Sequence, residues 1–156
     1  MAMMKKLKWI FAVLAVFGLL QFTNPARTNP PTVNDWIATN APPPPVAARL
    51  RAACYDCHSN ETKWPWYGRI APASWLVVHD VNEGRKHLNF SDWPPAADRA
   101  AKKFDRISEV LDYREMPPQK YTLLHPEARL TAADRQELTG WLDAAAERLR
   151  ATAKPE

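Results

Sequence analysis

The sequence predicts an all-α fold on three observations. Apolar residues recur at helical spacing in four segments, and no stretch alternates convincingly as a strand would. Fifteen prolines and 7 tryptophans against only 4 glycines point to stiff loops and large flat side chains between those segments. The helices are expected at about 46–57, 73–88, 98–112 and 131–150. The third carries Ala100, Phe104, Ile107 and Leu111 at helical spacing. The fourth carries Leu138, Trp141, Leu142, Ala145 and Leu149 behind a Thr131-to-Asp134 capping pattern, so both present core faces. In the first, Ala47, Ala48, Ala52 and Ala53 are small enough to let it cross Gly140 and Trp141 closely. The loops at 61–72, 91–97 and 113–130 are too long for a tight bundle but suit wrapping something. There is no internal repeat and no heptad run.

The 156 residues fit one compact domain plus an extension. Charge excludes nucleic acid as a partner: of 21 basic residues, Lys5, Lys6 and Lys8 belong to the head, leaving 18 against 17 acidic residues. Those lysines precede an apolar run that ends at Phe22, which is how export signals and signal anchors begin. Residues 7–22 as a helix would reach about 24 Å, a little short of a ~30 Å hydrocarbon core. No small-x-small cleavage site follows, so residues 1–22 are read as an uncleaved single-pass signal anchor, with a removed signal peptide as the alternative. The lysines would then leave the following domain on the outer, periplasmic side of a bacterial inner membrane. Residues 23–45, with Pro25, Pro30, Pro31 and Pro42 to Pro45, read as an extended linker, and residues 46–150 as the domain.

Cys54, Tyr55, Asp56, Cys57 and His58 form a C-x-x-C-H sequence. Two thiols one helical turn apart reach both vinyl groups of a haem, and the adjacent histidine sits under its iron. No other cysteine exists in the chain, which weighs against a disulfide framework and a four-cysteine zinc site. A redox-active thiol pair would call for a βαβ pattern, and none is visible. The expectation is one covalent haem c on Cys54 and Cys57, with His58 as a metal ligand. Candidates for the second ligand are Met116, His79, His87 and His125. Met116 is favoured: it is the sole methionine beyond the head, it follows a predicted helix, and Pro117 and Pro118 stiffen its loop. His79 is the runner-up, while His87 and His125 read as surface residues.

The segments CYDCHSN, WPWY, GRKHLNFS and the block MPP-x-x-Y-x-x-x-H, in that order, resemble the bacterial haem-binding domain family of small membrane-anchored c-type cytochromes over roughly residues 30–145. The resemblance implies one covalent haem and says much less about physiological role. Some members carry a histidine where this chain has Asp80, which keeps neighbouring His79 in view. Trp64, Trp66, Tyr67 and Arg69 can cover a macrocycle while donating hydrogen bonds to its propionates. A ligating histidine donates its second ring N–H to an acceptor, and Pro72 resembles the proline whose carbonyl does this in class I cytochromes. The fold expected is therefore cytochrome-c-like, and the function one-electron transfer with redox partner proteins, not enzymatic turnover. A haem-dependent peroxidase and a haem-based gas or redox sensor are the alternatives, and both need an open or labile distal site.

Overall fold

Residues 2–153 are described by the computed structural model, and among them there is no strand, only an isolated bridge between Asn34 and Asp92. The two strongest periodic segments form the frame. Helix α6 (Ala97–Asp112) buries Ala100, Ala101, Phe104, Ile107 and Leu111, and α8 (Ala132–Ala153) buries Leu138, Leu142, Ala145 and Ala146 in the same core. Thr131 caps α8 as read: its hydroxyl accepts from the Asp134 N–H at 3.1 Å, and the Asp134 carboxylate accepts from the Thr131 N–H at 2.9 Å. Helix α5 (Ala73–His87) also lies where its periodicity puts it.

The stretch read as a linker is tied into the domain. Asp35 caps the five-residue α2 (Trp36–Asn40) by accepting from the Ala38 N–H at 2.8 Å. The fully buried Trp36 ring meets Phe90, Trp93, Phe104 and Trp141 edge-on at centroid distances of 5.7, 6.0, 6.1 and 5.4 Å. Backbone bonds from Trp36 N–H to Phe90 and from Trp93 N–H to Asn34 fasten the segment. Prolines exclude a long helix here, and the buried indole together with these backbone bonds offsets the cost of ordering a short extended segment. Pro44 and Pro45 even open α3 (Pro44–Ala53), because the first N–H groups of a helix need no intrahelical partner.

Three expectations need correction. The first domain helix is not continuous to 57: it stops at Cys54 (φ −125°, ψ −38°), and α4 (Tyr55–His58) is a separate turn. Gly140 is exposed, and a Cβ there would meet nothing within 4 Å, so it is not the point of close helix crossing. The head does form a helix, α1 (Ala2–Leu20), but no helix among the described residues is long and apolar enough to cross a membrane. Lys5, Lys6 and Lys8 take up its first turns, and the residues from Trp9 to Leu20 cover only ~18 Å; a spanning anchor is therefore not supported. Below α1, the Gln21 side chain bonds the backbone of Ala71 in both directions, at 3.0 and 3.2 Å. The loop after α6 contains the short α7 (Gln119–Leu124), which the sequence reading passed over.

Candidate functional site: the Cys54–His58 turn

Cys54 joins two helices. Its N–H closes α3 on the Leu50 carbonyl at 2.9 Å, and its own carbonyl accepts from the N–H groups of Cys57 and His58 at 3.2 and 2.9 Å. This single turn brings both side chains and the histidine to one side. Both thiols are free and half-buried. Burial, with Cys57 beside it, pushes the Cys54 thiol up to about 12. Burial, with the negative charges of Asp56 and Asp80, pushes Cys57 up to about 11. Both are therefore protonated at neutral pH.

His58 Nδ1 lies 2.9 Å from the Gly84 carbonyl and 3.2 Å from that of Leu88. Carbonyls only accept, so Nδ1 carries the proton. Burial also holds the ring pKa below its ordinary value, against the opposing pull of those two bonds. The result is a neutral imidazole with the Nε2 lone pair available, which is the tautomer a metal ligand needs. The acceptors are the last turn of α5 and its cap, not Pro72. The Pro72 carbonyl instead accepts from the Trp75 N–H at 3.1 Å as α5 begins. The contact requires a glycine: a Cβ on Gly84 would sit 2.5 Å from the Cys57 carbonyl oxygen.

Buried polar residues on both sides hold the turn. Asn60 N–H donates to Ser91 Oγ at 2.9 Å, Asn89 Nδ2 to Asn60 Oδ1 at 3.1 Å, and Phe90 N–H to the His58 carbonyl at 2.7 Å. Arg85 donates to the carbonyls of Ser59 and Thr28 at 2.7 and 2.8 Å and to Asn29 Oδ1 and Thr62 Oγ1 at 3.1 and 2.8 Å. The CHSN and HLNFS segments are thus two halves of one scaffold. Sequence reasoning missed Arg85 and Gly84, whose roles come from contacts distant in the chain.

The other side of the turn is lined by α7 and the Trp66–Arg69 3₁₀ turn. Tyr121 OH donates to Asp56 Oδ2 at 2.8 Å, and its ring stacks on His125 at 4.3 Å. His125 Nε2 is 2.8 Å from Tyr67 OH, and its Nδ1 is 3.2 Å from Glu127. Burial, then Asp56, raises the pKa values of both tyrosines. His125, read as a surface residue, is therefore bound into this wall; the sequence signal was Tyr121 four residues earlier, the spacing that stacks rings on a helix. Lys120 pairs with Asp80 at 2.7 Å, near enough to Cys57 for both charges to affect its thiol.

The remaining expected site residues are distributed as follows. Trp64 donates to Asn29 Oδ1 at 3.1 Å, Trp66 is exposed with its ring edge-on to Tyr67 at 5.9 Å, and Arg69 is exposed. His79 and His87 are exposed. Met116 is half-buried, and Arg135 fixes its loop by donating to the carbonyls of Met116 at 2.7 Å and Leu111 at 3.1 Å. The Arg135 charge weakly opposes the rise of the Cys54 thiol pKa.

Two free protonated thiols one turn apart, followed by a neutral histidine with one nitrogen free, define a helical domain whose donor set fits a haem. Residues 15–144 match the model of the haem-binding domain family. The chain belongs to that family. Among curated proteins it is 31% identical over 93 residues to a cytochrome c peroxidase, Ccp, of Escherichia coli (strain K12). That match covers 57% of this chain but only 20% of the peroxidase. No solved structure matches the chain significantly.

Proposed function

We propose that the protein is a single-haem c-type cytochrome that passes one electron at a time, with haem held by thioether bonds from Cys54 and Cys57. The observation that carries this reading is His58, whose Nδ1–H is committed to the carbonyls of Gly84 and Leu88 while Nε2 stays free. A haem bound there supplies the one-electron couple between ferrous and ferric iron. The chain supplies the rest. The two protonated thiols would supply both the sulfur and the proton that addition across each vinyl group requires. The bonds to Gly84 and Leu88 fix the ring plane of His58 and increase its basicity. Tyr67, Tyr121 and His125 form the wall on the α7 side, and Trp66 and Arg69, in the same turn as Tyr67, would be the donors available to propionates.

Met116 is the proposed second ligand, supported by the Met-Pro-Pro loop that Arg135 anchors through the Met116 carbonyl. The lysine-flanked head is proposed as an export signal, which puts the domain and its redox partner proteins outside the inner membrane. The similarity to a fifth of the Escherichia coli peroxidase favours a second reading, peroxide reduction at an open site.

Spectra of the reduced and oxidised protein, with a pyridine haemochrome for covalent haem, test the first reading. A low-spin spectrum with no carbon monoxide binding supports it, whereas rapid carbon monoxide binding with peroxide turnover supports the second. Met116→Ala is expected to admit carbon monoxide and lower the midpoint potential, since thioether ligation favours the ferrous state. If Met116→Ala changes neither while His79→Ala changes both, the ligand is His79.

A further inference from the structure

Charge on α6 is sorted by face. Arg99, Lys102, Lys103 and Arg106 recur at i, i+3, i+4 and i+7 and line an open groove of about 490 Å³ with Asp92 and Pro94. Asp98, Asp105 and Glu109 lie along a neighbouring stripe. Arg106 pairs with Glu109 and Asp105 with Arg150, but Arg99 and Lys102 meet no carboxylate among the described residues. The groove adjoins the His58 side of the site: Lys103 Nζ donates to the His87 carbonyl at 2.6 Å, and the next carbonyl, that of Leu88, accepts from His58. One peptide unit separates the basic face from the histidine's own hydrogen bond.

We propose that this basic face of α6 is the docking surface for an acidic patch on a redox partner protein, placed so that electrons pass at the His58 edge. The proposal rests on the electron-transfer reading. A narrow cationic stripe bordered by carboxylates fits an acidic patch of similar width on a protein. An extended anionic plane such as a bilayer would bring its charges onto Asp98 and Glu109 as well. The domain's near-neutral balance likewise suits a local contact better than general polyanion binding.

The test uses the reduced haem-loaded protein and two one-electron oxidants of opposite charge. Ferricyanide takes one electron and becomes ferrocyanide; tris(phenanthroline)cobalt(III) takes one and becomes cobalt(II). With Arg99→Glu/Lys102→Glu, oxidation by ferricyanide at low ionic strength is expected to slow about tenfold and oxidation by the cobalt complex to speed up, both effects shrinking with salt. Arg148→Glu, at an exposed position on α8, serves as the control and should change neither rate. A hexaglutamate peptide should slow the ferricyanide reaction of the unmodified protein and leave that of the double variant alone. Rates insensitive to the double substitution, or slowed by anionic lipid vesicles but not by hexaglutamate, overturn the proposal. Reaction with neither oxidant in the unmodified protein would instead remove the electron-transfer reading beneath it.

Discussion

The two halves of the domain are held together differently. Around Trp36 the contacts are ring against ring, and Phe90, Trp93, Phe104 and Trp141 surround the indole with little polar chemistry. Around Cys54–His58, beyond Tyr55 and Cys54 on the core side, the contacts are mainly hydrogen bonds and charges, from Arg85, Asn60 and Ser91 on one side to Tyr121, His125 and Lys120 on the other. The aromatic half touches the turn through Tyr55, which stacks on Phe90 at 5.1 Å, and through Cys54 at the edge of the same core. The polar half is organised toward something the turn holds. Stability and haem binding should therefore separate experimentally, whereas loops suited to wrapping a group, as the sequence showed, would tie the two together.

Trp36→Ala is the strongest way to break the comparison. It removes the hub of the aromatic half and is expected to cost about 3–5 kcal/mol, read as a lower denaturation midpoint in urea, with haem lost as a secondary effect. Gly84→Ala strikes the polar half: its Cβ would require α4 and α5 to separate, at about 1–3 kcal/mol. Covalent haem yield should fall further than that loss of stability explains. Cys54→Ser with Cys57→Ser sharpens the contrast. Haem staining on a denaturing gel should vanish, while helical circular dichroism and a cooperative unfolding transition persist; loss of both together would mean that the halves are one unit. The smallest effect concerns the start of α8, where hydrogen bonds from Thr131, then Arg49, lower the Asp134 pKa to about 2 from 3.8. A depressed carboxylate stabilises the fold above its unfolded pKa and loses that contribution as pH falls from about 4 to about 2. Asp134→Asn should thus unfold more easily than the parent at pH 6, with most of that difference gone by pH 2.

Much of the frame was legible because α5, α6 and α8 are long and periodic enough for pattern to decide them. The break at Cys54 was not, since Ala52, Ala53 and Tyr55 give no signal to stop a helix. Trp36 was hidden by its proline-rich setting, although Asp35 three residues before Ala38 was a readable cap. The Cys54–His58 motif was plain from local spacing. The acceptor for His58 was not, because the Gly84 and Leu88 carbonyls lie 26 and 30 residues away in the chain.

Arg85 also bears on the order of events during synthesis. Its guanidinium fastens Thr28 and Asn29, 57 and 56 residues earlier, to Ser59 and Thr62 just past the turn. A chain made from its amino terminus presents Cys54–His58 well before Arg85 exists. Until then the turn lacks both the Arg85 hydrogen bonds and the Gly84 contact with Cys57, the state in which the proposed attachment of haem would meet least obstruction. If the proposed covalent haem is correct, the latch would act as a brake, and truncated chains ending before residue 85 are expected to be modified faster than the full chain.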